Sequence, residues 1–175
     1  MAFQPVDQTL IQDLLARERK LTEPQKALAA RVAAGSVARA RTFDPAEYER
    51  RRQPWLDFLE AMARRGEPGT TADWRLVLDA ARGLAENRDD LEGTLKVGYS
   101  LLFDLLHLLL DPAADAVVNV DLTAPLKDWA HKLTLGGIEK LKAGLDQAYR
   151  LQIRNVNPQL GFETLGIDVR FSKAD

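Results

Sequence analysis

Apolar residues recur along most of this chain at intervals of three and four, the period of an α-helix with one face turned to a core. Leu10, Ile11, Leu14 and Leu15 predict a short amphipathic helix over 7–19. Thr22-Glu-Pro-Gln25 has the form of a capping box and opens a second helix, with Ala27, Leu28, Ala30, Val32 and Ala33 as its contact residues. Gly35 stops that helix, and Ser36 is placed to cap a third. Asp44-Pro45-Ala46-Glu47 then starts a fourth, with cap, proline and acidic residue all in register. Over 45–65 this helix carries Tyr48, Trp55, Leu56, Phe58, Leu59 and Met62 on one side and Arg50, Arg51 and Arg52 on the other, and Pro54 is expected to bend it. Gly66-Glu-Pro-Gly69 ends it, and a fifth helix follows over 71–85 around Trp74, Leu76, Val77, Leu78 and Ala81.

The sixth helix, 89–110, carries Leu91, Leu95, Tyr99, Leu102, Leu105, Leu106 and Leu109, and its second half is apolar on nearly every side. That pattern predicts a helix buried all round, at the centre of the bundle or in a subunit interface. The connection over 111–121 is long and poor in strand signals. A short helix over 123–131 and a longer one over 135–154 follow, the latter with Ile138, Leu141, Leu145, Tyr149 and Ile153 near a heptad stripe. Asn157 and Pro158 suit an N-cap and a first helical position. The pattern leaves the last segment open, because Leu165, Ile167, Val169 and Phe171 alternate as in a strand and Gly161 and Gly166 weaken a helix. The fold class that follows is all-α, a helical bundle, divided near 41–43 into a small N-terminal unit (1–42) and a main domain (43–175).

Composition narrows the function more than the fold. At 175 residues and 46% hydrophobic, the chain can bury one substantial core. Its 24 basic and 26 acidic residues give a net charge of -2, so a whole-surface field suited to nucleic acid is absent and any such contact must be local. There is no cysteine, hence no disulfide and no thiolate chemistry. The first ten residues lack the basic and apolar regions of a signal peptide, and apolar runs such as 105–110 fall short of a membrane span. The expectation is a cytoplasmic protein with no membrane partner.

Candidate chemistry is sparse. His107 and His131 stand in different helices with no carboxylate at metal-ligand spacing, and His107 among leucines suits a core or interface position. Ser36, Ser100 and Ser172 have no adjacent histidine to act as base, and Gly136-Gly137 lacks the Lys and Ser/Thr of a phosphate loop. Asp89, Asp90, Asp111, Asp115 and Asp121 fit no calcium loop and read as caps and turns. Arg39, Arg41, Arg50, Arg51 and Arg52 form a local basic cluster, which reads as a solvated helix face balanced by Glu47 and Glu49 ahead of a nucleic-acid contact. No pair of groups converges at catalytic spacing, so nothing points to an enzyme.

Four stretches, in order, carry a family likeness: 28–40, ending Gly35-Ser-Val-Ala-Arg-Ala40; the helix from Tyr48 to Met62; Leu101-Leu-Phe-Asp-Leu-Leu-His-Leu-Leu-Leu110 with Val118-Asn-Val-Asp-Leu122; and 155–165, Asn-Val-Asn-Pro-Gln-Leu-Gly-Phe-Glu-Thr-Leu. Together they resemble bacterial DNA polymerase III clamp-loader subunits, most closely the delta-prime type and less the tau/gamma subunit. Phe103 stands where the family pattern usually has arginine. The resemblance implies that 1–42 is the remnant of an AAA+ lid and 43–175 the C-terminal collar, the part that holds subunits in a ring. It implies a rigid stator in loading the sliding clamp, as part of a DNA polymerase III holoenzyme. It makes Arg39 the counterpart of the sensor-2 arginine, without a nucleotide to sense here, because ATP would enter only through an AAA+ domain upstream or through neighbouring subunits. Expected partners are the delta and tau/gamma subunits, with DNA and the clamp reached indirectly, and the fragment alone is expected to be monomeric. Leu102, Phe103, Leu106, Leu109, Ile138 and Leu145 are the candidate interface or core residues. The competing readings are an oligomerisation domain of a replication-associated AAA+ ATPase and a helical DNA-binding domain.

Overall fold

Short-range hydrogen bonds at the caps set most helix starts. In the computed structural model, which describes residues 4–64, 71–86, 90–113, 115–153 and 157–170, every regular element is helical and no strand occurs among the described residues. Asp7 caps α1 (Gln8–Glu18) by accepting from the Thr9 amide at 2.8 Å. Thr22 and Gln25 form the reciprocal capping box of α2 (Glu23–Ala33). Ser36 caps α3 (Val37–Thr42), and Asp44 accepts from the Ala46 and Glu47 amides to open α4 (Pro45–Ala63). Helices α5 (Thr71–Glu86) and α6 (Leu91–Leu110) follow, then a single 3-10 turn at Val120–Leu122. Helix α7 (Thr123–Ile153) is broken at Thr134, whose φ of 60° and ψ of 171° are non-helical, so it is two helices end to end, as the sequence divides it. The turn at 66–69, Asp89, residues 154–156, Phe171 and Ser172 lie outside the described residues.

The last segment is a helix, α8 (Gln159–Arg170). Its strand-like alternation is misleading, because the buried positions are Phe162, Leu165, Gly166 and Val169, spaced for a helix. The Asn157 side chain accepts from the Gln159 amide at 3.1 Å, and Gly166 lets α8 approach α5: a Cβ there would stand 2.8 Å from Val77 Cγ1.

Trp55 anchors the core of α4 to α8. Its indole stands edge-on to Phe58 and Phe162, with ring centres 6.0 and 5.8 Å away, and its Nε1 donates to the Thr94 carbonyl at 2.7 Å. Burying a side chain of this kind fully contributes about 2–3 kcal/mol. Gly98 makes room for the indole, since a Cβ on it would come within 2.5 Å of the ring. Ile138, Leu141 and Leu145 face inward from the second half of α7, whereas Tyr149 is exposed. Helices α1 to α3 pack on one another, tied by a bidentate Arg41–Glu18 pair and by the Val6 amide donating to the Gly35 carbonyl at 3.0 Å. They meet the larger bundle where α2 packs on the 3-10 turn and where Arg31 donates to the Asp115 and Val117 carbonyls.

The long connection after α6 is held by a carboxylate. Asp104, fully buried on α6, accepts from the Val118 amide at 2.7 Å, the Asn119 amide at 2.8 Å and Asn119 Nδ2 at 2.7 Å. Burial pushes its carboxyl above the ordinary value, and the donors from Asn119 and Val118 pull it back. Asn119 is equally buried and passes the network on: its Oδ1 accepts from Tyr48 Oη at 2.9 Å and from Arg52 Nη1 at 3.4 Å, and its Nδ2 donates to Ser100 Oγ at 3.4 Å. Arg52 completes it with two bonds to Asp121, of 2.9 and 2.7 Å, and one to Glu49. The solvated arginine face expected on α4 is therefore wrong at Arg52, which is 4% exposed and points into this network. Asp121 is likewise a structural partner and not a free turn residue.

Two outcomes follow. Asp104→Ala leaves the buried Asn119 backbone N–H, the half-buried Val118 N–H and the Asn119 side-chain amide without their acceptor, and should lower unfolding free energy by about 3 kcal/mol in urea titrations. The second concerns Tyr99 on α6, which donates to Asp146 on α7 at 2.7 Å, while Lys142 binds the other carboxylate oxygen at 2.7 Å. Burial and then the Asp146 bond push the Tyr99 phenol up to about 12; Lys142 first and Tyr99 second hold Asp146 below its ordinary value. A depressed carboxyl contributes stability above its unfolded pKa and loses it as pH falls through the folded one. In Tyr99→Phe the Asp146 titration, followed by carboxyl-carbon NMR, should move up toward the unfolded value. The small stability deficit of this variant should be present at neutral pH and narrow in acid.

Candidate interaction surfaces

Helix α6 divides its surface three ways. Leu95, Leu101, Leu105 and Leu108 are in the core, and Asp104 is in the polar network. The outer side changes character along its length, from Glu92 and Lys96, joined by a 2.6 Å ion pair, to Phe103, Leu106 and Leu110. Phe103 is 48% and Leu110 72% exposed, with Leu102, Leu106 and Leu109 half-buried beside them. Within this chain the second half of α6 is therefore not buried all round, and its outer stripe is left to the subunit-interface alternative. Burial holds on the inner side, which explains why α6, although long and apolar enough to cross a membrane by length and composition, packs as a core helix.

Of the interface candidates, Leu102, Phe103, Leu106 and Leu109 lie together on the outer half of α6 at helical spacing. Ile138 and Leu145, 3% and 1% exposed, belong to the core and cannot meet a partner. His107 sits on the apolar stripe with its ring 4.0 Å from that of Phe103 and its Nδ1 3.1 Å from the Phe103 carbonyl oxygen, a side-chain packing position. No group of His, Asp and Glu able to hold a metal ion occurs among the described residues.

A second surface opens between α2–α3 and α4–α6. It is a cleft of about 580 Å³ lined by Arg31, Arg39, Arg51 and Lys96, with Tyr48 and Ser100 at the edge of the polar network. Arg39 is exposed and lines this cleft. The other members of the basic cluster are ion-paired: Arg41 to Glu18, Arg50 to Glu47, and Arg51 to Glu47 and Asp90. Sequence reasoning groups these five arginines by proximity in the chain, and the structure regroups them. Only Arg39 and Arg51 share the cleft, joined by Arg31 and Lys96, whose positions in the sequence give no sign of convergence.

Comparison with known proteins finds no matching family model, no similar curated protein and no similar solved structure.

Proposed function

We propose that this chain is an assembly module of the clamp-loader type: a delta-prime-like collar, residues 43–175, with a lid remnant, residues 1–42, acting as a rigid stator that holds other subunits in place during sliding-clamp loading. The observation that carries the reading is the apolar stripe on α6, Phe103 with Leu102, Leu106 and Leu110, laid along a helix whose inner side is fixed in the core. A rigid helix with one side committed to the core and the other apolar and bare suits helix-to-helix packing between subunits. Two of the stretches that carry the family resemblance, 101–110 and 118–122, are joined through Asp104 and the Val118 and Asn119 amides, which supports reading them as one structural unit. Function in this reading needs no bound cofactor in the chain itself, and Arg39 has no nucleotide to sense.

The test mixes the chain with delta and tau/gamma clamp-loader subunits and follows assembly by size-exclusion chromatography with light scattering. Phe103→Glu should abolish or strongly weaken assembly while changing stability by no more than about 0.5 kcal/mol, as expected of an exposed position. Assembly that survives this substitution unchanged moves the interface to another face. A stable homotetramer of the chain alone favours the AAA+ oligomerisation-domain reading instead.

A further inference from the structure

We propose that the cleft between α2–α3 and α4–α6 binds the phosphodiester backbone of a single-stranded nucleic acid. The site is concave, and four of the residues that line it are cations, Arg31, Arg39, Arg51 and Lys96, with no carboxylate among the described lining residues. Two of these charges, on Arg31 and Arg39, have no acidic partner among the described residues. Arg31 donates to two backbone carbonyls, at 2.5 and 2.7 Å, so its charge faces neutral oxygens. Lys96 pairs with Glu92, and both side chains are well exposed, at 72% and 56%, so a stronger anion displaces the pair at little cost. Arg51 is the exception, held by Asp90 and Glu47, and acts as a fixed wall.

Like charges gathered in a recess repel one another and favour an anion. Guanidinium groups match phosphate oxygens in geometry as well as in charge. Val32, Val97 and Val118 add apolar surface to the same lining, so the site sets cations beside a surface for weakly polar groups. That combination fits a strand, whose phosphates and bases lie on opposite sides of the sugar. The recess, about 580 Å³, has room for a short stretch of single strand. The site is local, which agrees with a chain whose net charge is only -2.

The experiment measures fluorescence anisotropy of a labelled oligothymidylate, about ten nucleotides long, with the full chain over about 50–200 mM salt. Three phosphate contacts predict a log–log salt slope of about -2. The double variant Arg39→Gln/Lys96→Gln, at two exposed positions, should keep its circular dichroism and unfolding midpoint. It should weaken binding by roughly an order of magnitude or more and flatten the slope by about 1.4. The charge-matched Arg82→Gln/Lys132→Gln, outside the cleft, should bind as the parent does. Backbone-amide NMR of the unaltered chain should show oligonucleotide-dependent shifts at Val32 and Val97, a readout that needs no variant. Absence of binding at the lowest salt, or equal losses in both double variants, overturns the proposal. So does competition by ATP, inorganic phosphate or a poly-glutamate peptide of equal charge at concentrations no higher than the oligonucleotide requires, which assigns the cleft to a mononucleotide, a free anion or an acidic peptide.

Discussion

A fully buried carboxylate holds the centre of this molecule. Asp104 receives three N–H donors from two consecutive residues of the connection that leaves α6, and through Asn119 it is linked to Tyr48 and Arg52 on α4. Burying a charge is expensive unless its hydrogen-bonding capacity is used, and here it is used by groups that would themselves be costly to leave unpaired. The connection is therefore held in one register on the bundle at Val118 and Asn119. The 3-10 turn that follows gives α2 a surface to pack on, so the placement of the N-terminal helices depends on the same carboxylate.

Helix α6 joins this network to the two exposed surfaces. Successive residues serve different environments: Ser100 the network, Leu101 the core, Leu102 and Phe103 the outer stripe, Asp104 the network again. The charged end of its outer side contributes Lys96 to the cleft, and the apolar end forms the stripe. One regular helix thus places a cationic recess and an apolar face in a fixed relation, without any loop between them to relax it.

What is legible in the sequence is what is local. The cap at Thr22 with Gln25, those at Ser36, Asp44 and Asn157, and the break at Thr134 between two helical patterns depend on neighbours within a few residues, so the all-α class and nearly every helix start can be read directly. The strand-like alternation after Gly161 is the local signal that misleads, because packing of Gly166 against Val77 and Phe58 overrides it. The polar network is not legible: Asp104 is one acidic residue among leucines, and its partners lie 14 and 15 residues onward. Arg52 reads as surface because its neighbours Arg50 and Arg51 are, although its own side chain reaches Asp121 across 69 residues. The cleft is hidden for the same reason, since Arg31, Arg39 and Lys96 converge only in three dimensions.

Asp104 and Phe103 are adjacent in the chain, yet their freedom to change is opposite. Any replacement at 104 must find acceptors for Val118 and for both donors of Asn119 at once, and no other single side chain of that length carries two anionic oxygens, so the site has no one-step neighbour in sequence space. Phe103 touches no such network and is bounded by the His107 ring and by whatever covers it. Divergence in this chain is therefore channelled to the outside of α6, where binding preferences can drift residue by residue while the scaffold beneath keeps its form.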